Sequence, residues 1–462
     1  MKPFLVRDAL NACGGQFFGG EAALDREVTT VTSDSRTIAP GALFVAFRGA
    51  RVDGHDFIRR CLEGGAAGCI SEREPIDDAE TPCIVVDSSL RAIGALAAWH
   101  RSRFDIPVIG ITGSVGKTTT KEMIAAVLAR RFNTHKTEKN FNNELGVPWT
   151  LLRLEDAHQV SVVEMGISDF GEMRRLTHIV RPNIAVFTMI GDAHLEFLGD
   201  HAGVLRAKSE IFESMDERGL AVLNGDDELL ANCHPGTRRV TYGLKPENDV
   251  WADEIQVKSL GRIAFTAHHA GGAFAAEIFG YGTHLVYAAL AATAVGLELG
   301  MTPEEIAAGI ADYRTVGNRA RIIEAGEITV VSDCYNANPN SMRAAIDSLA
   351  GTAGRRVCIL GDMLELGDGT ERYHSEVGAY AAAHGVDLVI GCGALARHIA
   401  EGAERAGGRA MYFEDKARLA EALPEILRPG RCWSRPPTAW PSSRSSMRWS
   451  SDEKDRAASC GR

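Results

Sequence analysis

The sequence predicts an α/β protein of three domains, built on mostly parallel sheets that carry helices on both faces. The chain has 462 residues, and a length prior of roughly 150 residues per domain suggests about three domains. Short apolar runs alternate with helical patterns over most of the chain, which is typical of parallel sheets. Hydrophobic residues make up 45% of the chain and charged residues 24%, the proportions of a folded globular protein.

Composition also excludes several classes of partner. The net charge is −11 and the chain has no basic stripe, so nucleic acid is not an expected partner. Neither a signal peptide nor an apolar run long enough to cross a membrane is present. The ten cysteines occur without a CxxC pair, which is typical of reduced thiols in the cytoplasm. We therefore expect a cytoplasmic, monomeric protein without membrane insertion, and a small-molecule ligand.

Residues 1–104 form the first predicted domain, a small α/β unit. The run ALFVAFRG over residues 42–49 ends at a glycine and predicts a strand. The segments AGCIS and CIVVD predict two more strands, with helices between them.

Residues 105–312 form the second predicted domain, in which strands and helices alternate most clearly. Strands are predicted in PVIGITG, QVSVVEMG, NIAVFTMIG and GLAVLNGDD. A helix is predicted from Lys117, and a second, strongly apolar helix is predicted over residues 284–300. The first of these helices places Ile124, Val127 and Leu128 at core-facing spacing.

Residues 313–430 form the third predicted domain. The segments ITVVSD, RVCILGD and VDLVIGCG predict three buried strands with helices between them, a Rossmann-like, doubly wound arrangement. Residues 431–462 do not continue this pattern, because they contain eight serines and no Val, Ile, Leu or Phe.

The strongest functional motif is GITGSVGKTTTKEM, over residues 110–123. A buried strand leads into a glycine-rich turn and then a helix, and the backbone amides of such a turn bind phosphates. The strict P-loop pattern has a glycine where this chain has Ile111, so only its shorter form is present. In this pattern the lysine reaches the β- and γ-phosphates and the following hydroxyl binds Mg²⁺. We predict an ATP site at Gly113, Ser114, Val115, Gly116, Lys117, Thr118 and Thr119.

The shorter loop is typical of the Mur ligase family, which the chain resembles over about residues 25–430. Further motifs carry the resemblance, and they are specific in combination. They are SDSRTIAPGALFVAFRGARVDGHDF (33–57), KNFNNELGVPWTLL (139–152), VVEMGIS (162–168), GDAHLEFLG (191–199), AKSEIF (207–212), SDCYNANPNSM (332–342) and LGDMLELG (360–367).

The resemblance implies both a fold and an activity. It implies a small N-terminal α/β domain that binds a UDP-muramyl peptide, a central P-loop ATPase-type domain and a C-terminal Rossmann-like domain. The implied reaction is ATP-dependent amide-bond formation through an acyl phosphate. The motifs are closest to the branch that adds D-alanyl-D-alanine to UDP-N-acetylmuramoyl-tripeptide, a step of peptidoglycan precursor synthesis.

The resemblance also implies a catalytic and metal-binding set of Lys117, Thr118, Glu164, His194 and Lys208. Thr118 and Glu164 would bind one Mg²⁺, and His194 and Lys208 a second. A lysine ammonium has no acceptor atom, so Lys208 is expected to be carbamylated, as in the family. Taken singly, Lys208 also fits a solvated helix lysine, His194 a structural histidine, and Glu164 a strand-end carboxylate with many uses.

The remaining site residues are also implied by the resemblance. They are Arg319, Asp333 and Tyr335 for ATP; Ser33, Asp34, Ser35 and Arg36 for the UDP end of the substrate; and Asn140, Asn142, Asn143, Asn336 and Asn338 for substrate. Each group leaves an alternative open. Arg321 stands close to Arg319, the Ser-Asp-Ser-Arg loop also suits an ordinary turn, and Asn336 and Asn338 also suit a turn before Pro339. Leu285 and Ala288 stand where many relatives have asparagines near adenine, and core packing is their alternative role.

The resemblance stops near Gly430, and residues 431–462 suggest a shift of reading frame. Codons permitted for residues 432–452, shifted by two bases, encode LVKASHGMALEQVVDALVVG followed by a stop. That peptide resembles the strand, motif and helix with which relatives end. We hypothesise a frameshift near Arg431, which would leave the third domain truncated and would explain why Trp433, Trp440 and Trp449 cluster there.

Two other functions remain open at this stage. The first is that of a sister Mur ligase that adds a single amino acid, or of a folylpolyglutamate synthase-like ligase. The second is an inactive, nucleotide-binding product of the frameshifted gene.

Overall fold

A computed structural model describes residues 1–49, 52–74, 81–259, 261–316, 320–334 and 336–427. Arg319, Tyr335 and the tail over residues 431–462 therefore lie outside the described residues. Within these ranges the strands form sheets of nine, five, three, two and two strands. No helix in the described part of the chain is both long enough and apolar enough to span a bilayer.

The first unit is a five-stranded sheet with helices packed on it. Strands β4 to β7 run parallel, and β2 joins them antiparallel at the edge. Its elements are β1 (Phe4–Leu5), α1 (Val6–Cys13), β2 (Gln16–Phe18), β3 (Glu27–Val28), β4 (Thr30–Thr32), β5 (Ala42–Val45), α2 (Ile58–Glu63), β6 (Gly68–Ser71), β7 (Cys83–Val85) and α3 (Ser89–Ser102).

The central unit is built on the nine-stranded sheet. Its elements are β8 (Val108–Thr112), α4 (Lys117–Leu128), β9 (Thr134–Lys136), α5 (Gly146–Leu151), β10 (Val160–Glu164), α6 (Glu172–Val180), β11 (Ile184–Phe187), α7 (Leu195–Leu198), α8 (His201–Ser209), β12 (Leu220–Asn224), α9 (Glu228–Ala231), β13 (Arg238–Gly243), β14 (Val250–Ser259), β15 (Arg262–His269), β16 (Gly272–Phe279), α10 (His284–Glu298) and α11 (Pro303–Asp312).

The order of this sheet places the carboxyl end of β8 at its functional centre. The strands lie in the order β16-β15-β14-β13-β12-β11-β8-β10-β9, and those from β9 to β14 run parallel. The chain leaves β8 towards β9 and β10 on one side and later returns to β11 on the other. A ligand crevice forms at such a switch point, and the predicted phosphate loop lies there.

The predicted helices of the central unit are confirmed with one adjustment. Helix α4 begins at Lys117, and Ile124, Val127 and Leu128 are fully buried. Helix α10 begins at His284 as predicted but ends at Glu298 rather than at Gly300. The antiparallel extension of the sheet through β15 and β16 was not predicted.

The first two units share a hydrophobic core. Helix α3 packs against α5 and α6 of the central unit. Leu96 on α3, Leu151 on α5 and Leu176 on α6 belong to one buried cluster, with Phe104 beside them. The predicted boundary at residue 104 therefore separates segments that are folded against each other.

The third unit contains a parallel sheet of three strands and a separate hairpin. Its elements are β17 (Arg321–Ala325), β18 (Ile328–Ser332), α12 (Pro339–Ala350), β19 (Val357–Leu360), α13 (Thr370–Ala383), β20 (Leu388–Cys392), α14 (Arg397–Arg405), β21 (Ala410–Phe413) and α15 (Lys416–Ile426). Strands β19, β20 and β21 are parallel neighbours.

One strand of this unit does not lie where it was predicted. Segment Ile328–Ser332 was expected to be a buried strand of the doubly wound sheet, but it pairs antiparallel with β17. Ala325 pairs with Ile328 across a two-residue turn whose Gly326 has φ +64°, a conformation that such tight hairpins require. Val330 is consequently 41% exposed.

Candidate active site

The glycine-rich loop after β8 is shaped by its glycines. Gly113 has φ +139° and Gly116, immediately before α4, has φ +88°. A Cβ added at Gly113 would lie 2.0 Å from the Thr188 side-chain oxygen, so a larger residue cannot fit there. The amides of the first turn of a helix have no partner within the helix, and those of α4 face the loop as an anion site would require.

Side chains and backbone tie this loop to the segment after β11. The Ser114 amide donates to the Met189 carbonyl at 2.8 Å. The Ser114 hydroxyl lies 3.0 Å from the Gly191 amide that donates to it and 3.2 Å from the Gly191 carbonyl. The Thr188 hydroxyl donates to the Val115 carbonyl at 2.5 Å. These hydrogen bonds tie the loop to residues 188–191.

Lys117 lies over the loop that it follows. Its Nζ donates to the carbonyls of Gly113 at 2.7 Å and Ser114 at 3.2 Å. This places a half-buried cation against the phosphate-binding turn, where the sequence predicts it. Thr119, on the same turn of α4, is also half-buried.

Thr118, in the first turn of α4, and Glu164, at the end of β10, form an oxygen-rich pair. The Thr118 hydroxyl lies 2.9 and 3.0 Å from the two Glu164 carboxylate oxygens, and Asn142 Nδ2 donates to one of them at 2.8 Å. Glu164 ends β10, which runs parallel to β8, and is 1% exposed. A hydroxyl and a carboxylate beside a phosphate site are suitable donors for Mg²⁺, which is bound by few protein oxygens together with phosphates.

A buried lysine behind this pair was missed by the sequence reasoning. Lys121 is 1% exposed, and its Nζ lies 2.8 Å from the Glu122 carboxylate and 4.0 Å from that of Glu164. It also donates to the Thr137 carbonyl at 2.8 Å, while the Thr137 hydroxyl accepts from the Glu164 amide at 3.0 Å. The adjacent charges in TTTKEM are usual on a solvated helix, so the motif did not reveal this burial.

Lys208 on α8 is buried rather than solvated. Lys208 is 1% exposed, which makes the alternative of a solvated helix lysine wrong. Burial lowers the pKa of Lys208 well below its usual value, and the Lys117 charge lowers it further, while Glu172 acts in the opposite direction. In the described ranges no carboxylate oxygen lies within 4.0 Å of its Nζ.

His194 lies in the same electrostatic environment. Burial lowers its pKa, Glu365 opposes that shift, and the charges of Lys208 and Lys117 add to it. His194 Nδ1 lies 2.6 Å from a carboxylate oxygen of Glu365, which belongs to the third unit. Glu365 is a site residue that sequence reasoning did not single out, although LGDMLELG contains it.

No cluster of three His, Cys, Asp or Glu side chains suited to a metal ion occurs in the described ranges. In addition to Glu164 and His194, a metal at this site would therefore need further ligands, which would be Thr118, phosphate oxygens and Lys208 if it is carbamylated.

The predicted substrate residues of the first unit form a self-contained turn. Asp34 accepts from the Arg36 backbone amide at 3.0 Å and from the Arg36 guanidinium at 2.8 and 2.7 Å. These contacts hold the pKa of Asp34 at about 2. Ser33 is exposed, Ser35 is half-buried, and the Arg36 side chain is 84% exposed. The geometry is that of an ordinary turn, and the substrate role of these four residues stays a prediction.

The asparagines predicted to bind substrate have different local roles. Asn142 contacts Glu164, as described above. Asn143 Oδ1 accepts from the Gly146 amide at the start of α5, and Asn140 is exposed. Asn338 Oδ1 accepts from the Ser341 amide and caps α12, which is the turn role that was left open. Asn336 is exposed and accepts from its neighbour Ala337.

The nucleotide residues of the third unit are only partly described. Asp333 is exposed directly after β18, whereas Arg319 and Tyr335 fall outside the described residues. Leu285 and Ala288 are 1% and 4% exposed in the core of the central unit, so the core-packing alternative is confirmed for both.

Three family models match the chain, and together they cover most of it. They are "Mur ligase family, catalytic domain" over residues 27–101, "Mur ligase middle domain" over residues 111–296 and "Mur ligase, glutamate ligase domain" over residues 318–432.

Curated and solved relatives match with similar coverage. The UDP-N-acetylmuramoyl-tripeptide--D-alanyl-D-alanine ligase of Escherichia coli is 38% identical over 428 residues, 91% of each chain. A crystal structure of MurF from Acinetobacter baumannii is 33% identical, covers 92% of each chain and superposes with a TM-score of 0.84. The structure of MurF ligase from Thermotoga maritima in complex with ADP is 28% identical, with a TM-score of 0.78 over 87% of this chain and 92% of that one.

Proposed function

The chain belongs to the Mur ligase family, and from that premise we propose that it joins D-alanyl-D-alanine to UDP-N-acetylmuramoyl-tripeptide at the expense of ATP. The observation that carries the proposal is the meeting of the phosphate loop, the Thr118–Glu164 pair and buried Lys208 at one switch point of the sheet. The relatives with 38% and 37% identity carry the name of this ligase.

The proposed reaction has two steps, and each step forms one bond to the substrate and breaks another. The terminal carboxylate of the tripeptide attacks the γ-phosphorus of ATP, which forms an acyl phosphate and releases ADP. The amine of the dipeptide then attacks the acyl carbon, loses a proton and displaces phosphate to leave an amide. Such phosphoryl transfer depends on positioning and charge neutralisation more than on covalent help from the protein.

The residues of the phosphate loop supply the positioning. Gly113, Ser114, Val115 and Gly116 form a turn that hydrogen bonds to residues 188–191 help to hold in shape, and its backbone amides would bind phosphate oxygens. Lys117 already lies against this turn, and its cation would exchange the Gly113 and Ser114 carbonyls for phosphate oxygens. We further propose that Asp333, Arg319 and Tyr335 contact ATP from the third unit.

Magnesium fits the donor set at Thr118 and Glu164. These two residues would hold it, because their oxygens already lie within 3.0 Å of each other beside the loop. When bound, Mg²⁺ would supply positive charge to the phosphates. Asn142 keeps the Glu164 carboxylate in place by donating to it at 2.8 Å.

Carbamylation of Lys208 fits its surroundings and is part of the proposal. Burial lowers the pKa of Lys208 and so favours its neutral amine, and a neutral amine adds to the carbon of CO₂ and then loses a proton to give a carbamate. This converts a group without acceptors into an anionic oxygen ligand, which His194 could accompany around a second Mg²⁺. ¹³C-labelled CO₂ should give a carbamate resonance that is absent from Lys208→Met; a spectrum identical to that variant's would contradict it.

The remaining parts of the proposal concern substrate and location. We propose that Ser33, Asp34, Ser35 and Arg36 face the UDP end of the muramyl peptide. We propose that Asn140, Asn143, Asn336 and Asn338 face the peptide substrates. We also propose a cytoplasmic location, because the proposed reaction consumes ATP.

The activity is tested by phosphate release from the purified chain. We expect release to require ATP, UDP-N-acetylmuramoyl-tripeptide and D-alanyl-D-alanine together, and to disappear in Lys117→Met. Release with a single amino acid and none with the dipeptide would indicate a sister ligase. ATP binding without any release, in this chain and in a version with the reading frame of the tail corrected, would contradict ligase function altogether.

A further inference from the structure

We propose that Glu365 of the third unit is a positioning residue for His194. When the third unit lies against the central unit, the Glu365 carboxylate would orient the His194 ring for metal binding. The inference rests on the proposed function, because it assigns a role within that same site. The contact joins residues from two units that lie far apart in the chain. His194 Nδ1 and Glu365 Oε2 are 2.6 Å apart.

The loop that carries Glu365 is anchored on α13 by buried side chains and a hydrogen bond. Met363 and Leu366, on either side of Glu365, are 0% and 3% exposed. The Met363 amide donates to Nε2 of fully buried His374 at 2.9 Å, and His374 Nδ1 lies 2.7 Å from the Thr370 carbonyl. This arrangement fixes the tautomer of His374 and anchors the loop on α13, so the backbone next to Glu365 is held in place.

Both partners of the contact have an uncommon backbone. His194 has φ +58° and Glu365 has φ +60°, and they are two of six non-glycine residues with positive φ in the described ranges. Such a conformation costs about 1–3 kcal/mol and occurs most often at functional sites. The two strained residues are in contact with each other through their side chains, so the strain lies at the contact between the units.

Neighbouring contacts show how closely the two units approach here. A Cβ added at Gly191 would lie 2.1 Å from the side-chain nitrogen of Asn340, on the first turn of α12. Gly191 is the residue whose backbone bonds to Ser114 of the phosphate loop. A Cβ added at Gly367 would lie 3.7 Å from the Glu196 backbone. The third unit thus contacts both Gly191, which is hydrogen-bonded to the phosphate loop, and the segment that carries His194.

The chemistry of a ligating histidine explains what Glu365 would do. A metal-binding imidazole usually donates its other N–H to a carboxylate, which fixes the tautomer and the ring orientation. Glu365 is the carboxylate that meets Nδ1, which leaves the lone pair on Nε2. His194 Nδ1 is buried and has no well-aligned hydrogen bond, although Glu365 Oε2 lies 2.6 Å away; catalytic hydrogen bonds are commonly poorly aligned in the absence of substrate.

The proposal is tested by metal binding to the full chain with ADP and bicarbonate present. Free Mn²⁺ is followed by electron paramagnetic resonance for wild type, Glu365→Gln and Asp368→Asn. Asp368 is an exposed carboxylate three residues away in the same loop, so it controls for the loss of charge. We expect Glu365→Gln to weaken Mn²⁺ binding about 10-fold or more, with Asp368→Asn unchanged and the thermal unfolding midpoint the same in all three.

A double-mutant cycle separates a positioning role from a direct one. If Glu365 acts through His194, adding Glu365→Gln to His194→Asn should cost no further affinity. Unchanged or tighter Mn²⁺ binding by Glu365→Gln would overturn the proposal, as would additive losses or a wild-type chain that binds no Mn²⁺. Phosphate release that depends on the dipeptide is measured separately, so failure of the proposed function is distinguishable from failure of this inference.

Discussion

The backbone at Gly113 leaves no space for a side chain, and this gives a sharp test of the phosphate loop. In Gly113→Ala the new methyl would clash with the Thr188 hydroxyl, 2.0 Å away, at a φ of +139°. We expect the variant to lose about 1–3 kcal/mol of unfolding free energy and at least 10-fold in ATP affinity. Calorimetry for both quantities checks this.

The control for that substitution is Gly20→Ala. A Cβ at Gly20 meets no atom within 4 Å, and its φ is −67°. This variant should match wild type in stability and ATP affinity. If both alanine variants behave alike, the loop has no steric requirement at Gly113.

Lys121 provides the second prediction at the scale of a residue. Removing one partner of a buried ion pair leaves an uncompensated charge and costs about 3–5 kcal/mol. We therefore expect Lys121→Met to lower the free energy of unfolding by about this amount, because the carboxylates of Glu122 and Glu164 would lose their buried cation. Lys136→Gln is the matched control: Lys136 also pairs with Glu122, but its side chain is 42% exposed.

Urea denaturation followed by circular dichroism measures both variants. Lys136→Gln should cost about 1 kcal/mol or less, as for partly exposed pairs. Equal losses in the two variants would contradict the assignment of Lys121 as the buried counter-charge of the site.

Individual side chains also show which features of the site could be predicted from the sequence and which could not. The phosphate loop, Glu164, His194 and Lys208 could be located by motif, because each lies at a fixed offset from a strand or helix. The burial of Lys208 and Lys121 could not, since a lysine on a short helix gives the same pattern whether it faces solvent or the core. A turn before Pro339 was one predicted role for Asn338, but its capping bond to Ser341 became visible only in the structure.

Helix α3 carries a buried histidine at the junction of the first two units. His100 is fully buried, and its Nε2 lies 3.2 Å from the Leu154 carbonyl of the central unit. Burial lowers the pKa of His100 to about 4, against which the Leu154 hydrogen bond acts. Because this pKa is below that of an unfolded histidine, about 6.5, the unfolded chain binds the proton more readily.

The contribution of neutral His100 to the free energy of unfolding should therefore be fully present above about pH 6.5 and be lost as the pH falls towards 4. At pH 5, we expect protonation of His100 in the unfolded chain to lower the free energy of unfolding by about 1–2 kcal/mol relative to pH 7. In His100→Gln, which can still donate to the Leu154 carbonyl, the slope of stability between pH 6.5 and 5 should be smaller. It should not vanish, because burial lowers the pKa of His135 to about 3 as well. An unchanged slope would contradict the prediction.

Elements were predictable where apolar runs were long and buried on both faces. Strands β8, β10, β11 and β12 are of this kind, and all were predicted. Strand β18 is equally apolar, but the tight turn at Gly326 directs it back onto β17. The sequence ITVVSD alone does not distinguish these two arrangements. Strands β15 and β16 were missed because their buried and exposed residues alternate, so neither forms a continuous apolar run.

At the scale of the whole molecule, the third unit has unpaired edges. In the described ranges β19 pairs only with β20, and β18 pairs only with β17. Ile359 on β19 is 45% exposed and Val330 on β18 is 41% exposed. Apolar side chains on an open strand edge favour pairing with another strand. The alternative reading frame of the tail begins with LVKASHGM, which can supply such a strand.

We predict that a chain whose residues from 432 onward are replaced by LVKASHGMALEQVVDALVVG is more stable than the chain with the present tail. Burying one or two apolar side chains against these edges should add about 1.5–6 kcal/mol, and ligase activity should rise with it. The control is a chain that stops at Gly430, which separates the gain of a strand from the loss of the present tail. Thermal unfolding and limited proteolysis of the third unit measure the difference. If the corrected chain is no more stable than the chain ending at Gly430, the added segment does not complete this sheet, and a frameshift near Arg431 loses its structural support.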